Sequence, residues 1–596
     1  MAVRVVPRFD PAAFADRGAV GLIVPGVGGT VTRAGALGAL ERGKVRHALL
    51  GGTPTGKILV LPSGRPGGRV TVYVALPPPG RTPNHTRYPV AFVGCRFHGV
   101  LTSTATRIPG LISIADIAPA IVSLRKGGCD ASPLGYERTG EAPSRLRALD
   151  NRIRRVQGAR GWALVAVLVT VGVLALVNRR GAVLACAGAV VASLVLSAFG
   201  VDAFWPLVLG VTGITVASAL PVPRRFVPVL VGAFLVALLV VLAVDTQVNS
   251  LAVLGARPGG GGRFYGVTNQ LETLLLAPVI AAAAAAGLAS LVPIGVLALL
   301  AVGWSKAGAD GGGIVVYAAA LAVLALRLRD AQLTVRRFVL VGAGVIALTL
   351  ALVGLDAAFG GSSHVTQAVG TGPGSLFGDL GRRLHLSYLS VTSSAGKEAE
   401  FGAGVAVLVA IAAFLRRGPT VDAMLIGLLV SFFVNDTPVD VAFLGALGCW
   451  TLVRWESVDS RAMRRSPVVL FASVLLVLTT AGCGNEGTVR ALPGKVVGTF
   501  QTTISGKQLF ASQGCTACHT FAPAGSKAKI GPDLDKLTQY AKQAKQPLDK
   551  FVQTSIVDPN AYIQKGFPKD VMPKTYKSLP TDQLKALVDF LTKKKS

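Results

Sequence analysis

Charge is scarce in this 596-residue sequence. Only 15% of residues are Asp, Glu, Lys or Arg, against about 25% in an ordinary soluble chain. That argues against a purely soluble enzyme, and 51% hydrophobic residues exclude a disordered chain. Acidic residues are the rarer sign, 30 against 60 Lys and Arg, for a formal charge of +30. In a chain this apolar, such an excess points to cytoplasmic loops of a membrane protein more than to nucleic acid. Seven cysteines are too few for a disulfide scaffold of this length. Aromatics make up 6%, while glycine is plentiful at 71, a balance that suits closely packed transmembrane helices.

The cations change identity along the chain. Met1 to Ala462 holds 36 Arg and 5 Lys, and Met463 to Ser596 holds 3 Arg and 16 Lys, together the stated 60. The switch marks two units, and the length alone exceeds one hydrophobic core.

Residues 1–158 are polar enough to form a small α/β domain. Lys57–Leu61 and Val70–Val74 read as strands between Gly/Pro clusters, and Ile112–Leu124 reads as a helix. Gly51-Gly52-Thr53-Pro54-Thr55-Gly56-Lys57 has P-loop spacing. However, Ile58 replaces the magnesium-binding Ser or Thr, and a strand follows where a helix N-terminus should face phosphate, so no nucleotide site is assigned. No Asp/His cluster able to hold two metals is evident, and His47, His85 and His98 read as surface or packing residues. Pro83 to Val90, Thr106 to Gly110 and Ser113 to Pro119 resemble the tail of alkaline-phosphatase-like extracytoplasmic domains found fused to actinobacterial membrane regions.

A run of about 18 apolar residues spans a bilayer. Eleven such windows, several of them short, lie between residues 161 and 453. They start at Gly161–Val177, include Leu271–Leu291, and end at Val441–Val453. With the N-terminal domain outside, the loops bearing Arg179-Arg180, Arg224-Arg225, Arg327 to Arg337, Arg416-Arg417 and Arg454 to Arg465 all fall inside, as positive charge should. Arg382-Arg383 is the exception. It lies in a long outer loop where Phe377, Leu380, Leu384 and Tyr388 have helical spacing, which reads as an amphipathic surface segment. No signal peptide precedes the outward domain here, so either the start is truncated or the domain stays inside and the span count is off by one. Ionisable residues within the spans are nearly lacking. Asp356, Asp422 and Asp436 read as interfacial residues at span ends, which disfavours a transport pathway. The loop Arg257 to Gln270 resembles a recurrent motif of the same phosphatase-linked membrane proteins.

A second start is written at residues 463–483. Met463-Arg464-Arg465-Ser466 is basic, Pro467–Leu478 is apolar, and Thr480-Ala481-Gly482-Cys483 closes it with small residues, the order of a secretory signal. The close resembles a bacterial lipoprotein box, which implies lipidation of Cys483, although Thr480 stands where Leu is usual. The alternative is one more transmembrane helix.

Cys515-Thr516-Ala517-Cys518-His519 is C-x-x-C-H, the c-type haem attachment motif: two thiols bond one haem edge while the next residue reaches the iron. Zinc would need a further Cys/His pair, and none follows. A thioredoxin-like pair would need a βαβ setting. Met572, in Val571-Met572-Pro573, is the only Met after Met463 and so becomes the second axial ligand by elimination. His/Met ligation raises the potential and fills both axial positions, which suits electron transfer. Gly506 opens a helix, and Leu584, Leu587, Val588 and Leu591 form an apolar stripe on another. Gly506 would let the two helices cross closely over Phe510 and Phe590.

From Ile504 to Leu591 the chain resembles class I cytochrome c, especially the cytochrome domains appended to oxidase subunit II. The resemblance rests on Cys515, Cys518, His519, Gly531-Pro532, Ser555 to Pro559, Met572-Pro573 and the last helix. It implies that the Pro532 carbonyl accepts a hydrogen bond from His519, and that one haem c is bound covalently. Tyr562 and Tyr576 could contact haem, with core packing as the alternative. No copper-binding set accompanies the motif, which disfavours an oxidase subunit II. From Cys483 onward 17 basic residues face 8 acidic ones, either to steer acidic redox partners or to solubilise the unit.

The expected architecture is multidomain. It comprises a small α/β extracytoplasmic domain over 1–158, an all-α polytopic membrane region over 161–453, the 463–483 segment, and an all-α class I cytochrome c domain over 500–596. The expected function is a membrane-tethered monohaem electron carrier rather than an enzyme. It would lie in the cytoplasmic membrane with its cytochrome outside, meeting respiratory-chain redox proteins and lipid but not nucleic acid. The alternative is a transporter or phosphatase-like membrane protein with the cytochrome as an accessory or gene-fusion product. An oxidoreductase site within the membrane is disfavoured, since only His364 and His385 are available there and both lie outside the spans.

Overall fold

The computed structural model describes residues 2–6, 9–26, 30–42, 70–127, 132, 134–260, 263–329, 334–358, 373–415, 417–457, 506–572, 576–577, 579 and 581–592. The Gly51–Lys57 stretch, His47, His364, Arg416, Arg465 and the whole 463–483 segment with Cys483 lie outside the described residues.

The N-terminal unit is a mixed sheet with helices. Its strands are β1 (Ala2–Val6), β2 (Gly18–Val24), β3 (Thr30–Thr32), β4 (Val70–Ala75), β5 (Arg81–Pro83), β6 (Tyr88–Gly94), β7 (Gly99–Ser103), β8 (Leu111–Ser113) and β9 (Leu134–Glu137). The large sheet has seven strands in the order β1-β4-β6-β2-β7-β9, with β8 also paired to β2. β1 and β4 run parallel, as do β2 and β7, while β6 is antiparallel to both β4 and β2. All seven residues of β2 are buried, the pattern of a central strand covered on both faces. Two helices pack together beside the sheet, α1 (Arg33–Arg42) and α2 (Ile114–Gly127), the second close to the expected Ile112–Leu124.

No linker separates the sheet from the apolar region. Helix α3 (Ala142–Val177) runs 36 residues, through the expected boundary near residue 160. Leu146, Ile153, Val156, Ala159, Ala163, Val167 and Val171 are all buried along it, a stripe of helical period. Six Arg between residues 145 and 160 concealed this periodicity in the sequence. Arg160 is itself buried: it donates to Ala256 O at 3.1 Å and to Gly255 O, tying α3 to the glycine-rich loop.

The bundle continues with α4 (Ala182–Ala198), α5 (Phe204–Ser218), α6 (Val227–Val244), the short α7 (Thr246–Ser250), α8 (Asn269–Ala285), α9 (Leu288–Gly303), α10 (Gly311–Leu328), α11 (Val335–Ala358), α12 (Pro373–Val391), α13 (Ala395–Phe414), α14 (Pro419–Val434) and α15 (Pro438–Glu456). Among the described residues, three helices are long and apolar enough to cross a membrane: Ala142–Val177, Arg224–Val244 and Gly311–Leu328. The other expected windows fall on shorter or more polar helices. Large apolar side chains face outward on the bundle, including Trp205, Leu209, Val229, Val240 and Val292. Helix α12 covers the expected amphipathic segment, and it does more than lie on a surface. Leu386 and Ser387 are buried, and Arg383 Nη1 donates to Val434 O at 2.6 Å.

The C-terminal unit comprises α16 (Gly506–Ser512), β10 (Thr520–Phe521), β11 (Ser526–Lys527), α17 (Leu537–Gln543), α18 (Leu548–Val557) and α19 (Thr581–Leu591). Its core gathers Leu509, Phe510, Phe521, Phe551, Ile556, Leu584, Leu587 and Val588. Burying a Leu or Phe side chain contributes about 1.5–3 kcal/mol, so this small set can hold a unit of modest length.

Candidate haem-binding site

Helix α16 enters the motif. A side chain at Gly506 would collide with Ala586 and Phe590 of α19, so only glycine permits the crossing. Phe510, Phe521 and Phe590 interlock there, with ring centroids 5.3 to 6.1 Å apart. After α16, Gly514 takes φ +79°, a left-handed turn that glycine adopts at no steric cost. The chain then forms a single 3-10 turn, Cys515–Ala517. The backbone N–H groups of Cys518 and His519 both donate to Cys515 O, at 3.2 and 3.0 Å. This turn sets the two cysteines and the histidine on one short arc.

Several contacts hold the arc. His519 Nδ1 donates to Pro532 O at 2.8 Å. A carbonyl can only accept, so the proton sits on Nδ1 and the lone pair is left on Nε2. Burial lowers the His519 pKa, partly opposed by that hydrogen bond, which keeps the ring neutral and able to ligate. Gly531 N donates to Cys518 O at 2.7 Å, and a Cβ on Gly531 would stand 2.6 Å from His519 Cε1. The ring therefore rests on bare backbone. Ser526 Oγ donates to Thr516 O at 2.9 Å and also to His519 O. Sequence reasoning missed Ser526, because nothing in the pattern around it distinguishes a hydroxyl that folds back across a β turn.

Cys515 and Cys518 are free thiols, both half-buried. Burial pushes the Cys515 thiol up to about 11. Tyr576 OH donates to Gln513 O at 2.9 Å, and its pKa is raised by burial first and then by Cys515 and Cys518, which places it beside the motif. Tyr562 instead packs edge-on against Phe551, with centroids 5.1 Å apart. Met572 comes from another segment and is half-buried. Two residues before it, Asp570 has φ +61°, held by Asn560 Nδ2 donating to its carboxylate at 2.8 Å and by its own N–H donating to Asn560 Oδ1 at 3.1 Å. The structure thus gathers Cys515, Cys518, His519 and Pro532 into one site, and it fixes the backbone leading to Met572.

Residues 504–595 match the model of the family Cytochrome c. No curated protein matches the chain, and no solved structure does. The C-terminal part is therefore a cytochrome c domain. That family implies covalently bound haem c, and with it iron, electron transport and redox partner proteins. The residues present suit such a group: two free thiols, a neutral imidazole with Nε2 available, and a glycine floor under the ring.

Proposed function

We propose that this chain is a membrane-tethered monohaem c-type cytochrome that carries single electrons on the outer side of the cytoplasmic membrane, as a carrier rather than an enzyme. The observation that carries the reading is the Cys515–Cys518–His519 arc with Pro532 fixing the imidazole. Cys515 and Cys518 would hold the haem as thioethers, and His519 and Met572 would be its axial ligands. The haem supplies a one-electron iron couple. The protein orients it: Pro532 O holds the His519 ring and, by accepting a hydrogen bond from Nδ1–H, makes the Nε2 lone pair a stronger ligand. Gly531 admits the ring, and the Phe510–Phe521–Phe590 cluster keeps water from that flank.

Membrane tethering rests on the three long apolar helices and the outward apolar side chains of the bundle. With the 1–158 domain outside, about eleven spans over 161–453 and the Arg-bearing loops inside, the 463–483 segment would carry the cytochrome domain of 500–596 back to the outer side, as a signal or as one more crossing. Cys483 would add a lipid anchor if the 463–483 segment is processed as a lipoprotein signal. Partners would be redox proteins of a respiratory chain and membrane lipid, with no role for nucleic acid. Haem-stained gels of membranes test the proposal: a band near the full 61.3 kDa is expected. Complete extraction of porphyrin by acid–acetone would overturn it.

A further inference from the structure

Cationic side chains gather at one end of the helix bundle, where three segments of the chain are tied together. Helix α3 stops at Val177, and Asn178-Arg179-Arg180-Gly181 leads into α4. Asn178 Nδ2 donates to Ala219 O at 2.6 Å, just past the end of α5, and a Cβ on Gly181 would collide with the same carbonyl. The link after α5 makes a 3-10 turn, Arg224–Phe226, before α6 begins. Arg224 Nη2 donates to Trp455 O at 2.9 Å, and its guanidinium carbon lies 4.9 Å from the Trp455 ring centroid. From α15, Arg454 Nε donates to Ala175 O at 2.9 Å and Nη2 to Leu176 O at 3.2 Å, in the last turn of α3. The α3–α4 turn, the α5–α6 link and the end of α15 therefore share one surface, which carries Arg179, Arg180, Arg224, Arg225 and Arg454.

The carboxylates next to this surface are engaged elsewhere. Glu456 accepts from Gly418 N at 2.7 Å and from Thr420 N and Oγ1 at 2.9 and 2.6 Å, at the start of α14. Asp422 pairs with Arg327 at 2.9 Å and with Arg417 at 3.6 Å. Among the described residues, no carboxylate pairs with Arg179, Arg180 or Arg225, and all three are exposed. Outward apolar side chains stand beside them: Val177, Leu220, Phe226 and Val229. Helices Ala142–Val177 and Arg224–Val244 are both long and apolar enough to cross a membrane, so these cations sit where the two helices would leave the hydrocarbon. Uncompensated positive charges held close together repel, and a guanidinium matches a phosphate with two parallel hydrogen bonds. A nucleic acid or an acidic protein would satisfy the cations and leave the apolar neighbours in water. A phosphate that carries acyl chains satisfies both.

We propose that Arg179, Arg180 and Arg225 hold the headgroup of an anionic phospholipid, with its acyl chains along the outward apolar side chains of α3 and α6. The inference rests on the membrane reading above and gives it a lipid of one charge class. The phosphate oxygens accept from the three exposed guanidinium groups. Arg224 and Arg454 act indirectly: their bonds to the Trp455, Ala175 and Leu176 carbonyls hold the three segments in place. A zwitterionic lipid offers the same phosphate, but its ammonium cancels the charge that the cations select.

Full-length holoprotein in nanodiscs of mixed phosphatidylcholine and phosphatidylglycerol provides the test. Native mass spectrometry of the released protein should show phosphatidylglycerol retained in preference to phosphatidylcholine. The triple variant Arg179→Gln, Arg180→Gln, Arg225→Gln should lose that preference several-fold, while Arg417→Gln, at a residue already paired with Asp422, should keep it. The three substituted side chains are exposed, and a Tm equal to wild type in phosphatidylcholine alone would show that the variant is folded. Equal retention of the two lipids by the wild-type chain would overturn the proposal, as would an unchanged preference in the triple variant. Displacement of the lipid by inorganic phosphate would also overturn it, assigning the patch to soluble anions. Failure of the chain to enter nanodiscs of either lipid would overturn the membrane reading and this inference together, an outcome distinct from loss of selectivity in an inserted chain.

Discussion

At the residue scale, burial and a few hydrogen bonds decide what each polar side chain does. Met572 is expected to govern the potential. Met572→Ala should remove the thioether-to-iron charge-transfer absorption and lower the midpoint potential by on the order of 0.1 V, within the roughly 0.8 V that axial ligands span. A redox titration with unchanged midpoint and spectrum would remove Met572 from the ligand set. Asp116 makes a second case. It is buried in α2, accepts from Ser103 Oγ at 2.7 Å and from Ser113 N at 3.1 Å, and desolvation nevertheless pushes its pKa up to about 6. The folded chain therefore holds this proton more tightly than the unfolded one, whose carboxyl titrates near 3.9. Its contribution is complete below about pH 4 and is lost as pH rises through about 6, a difference of about 3 kcal/mol. Hydrogen-exchange protection of β8 and α2 should fall over that window in the full chain. In Asp116→Asn, whose amide oxygen still accepts from Ser113 N, protection should stay flat.

At the element scale, close approach is the controlling feature. The α16–α19 crossing exists because Gly506 lets the Ala586 carbonyl and Phe590 Cβ come into contact with backbone. Gly506→Val forces the helices apart, and overpacking of this kind costs about 1–3 kcal/mol. Thermal melting followed at the haem Soret band should show a correspondingly lower Tm; an unchanged Tm would mean the crossing carries little stability. The close approach was legible in the sequence, since a lone glycine opposite an apolar stripe has few other uses. The buried length of α3 was not, because its Arg residues conceal the apolar stripe. Arg160 finds its partners in carbonyls of Gly255 and Ala256, about a hundred positions away in the chain, which local pattern cannot reveal.

At the scale of the whole molecule, charge and hydropathy are divided between parts. The apolar bundle carries Arg at its turns, and the cytochrome domain carries Lys. If that Lys excess steers partners, electron exchange with an acidic redox protein should slow several-fold as ionic strength rises from low to physiological salt, the Debye length shrinking toward 8 Å. Stopped-flow rates independent of salt would leave the lysines a solubilising role alone. The two parts also differ in how their chemistry is arranged. The haem motif is contiguous, whereas the buried pairs Glu272–Asn435 and Arg263–Asp310 each join separate segments of the chain.

That difference divides what the sequence determined from what only the tertiary structure decided. The Cys515, Cys518 and His519 motif is visible in the sequence because the proposed haem attachment would require a fixed spacing within one turn, and such a constraint survives in one dimension. Three of the expected apolar windows fall on helices long and apolar enough to cross a membrane, because a bilayer-length run is a local property. Glu272 was passed over because one carboxylate in an apolar window looks the same whether it reaches water or is buried against Asn435. Only the packing of α8 against α10 and the α14–α15 link buries Glu272 and brings Asn435 to it, and burial, not residue type, then sets what that group can do.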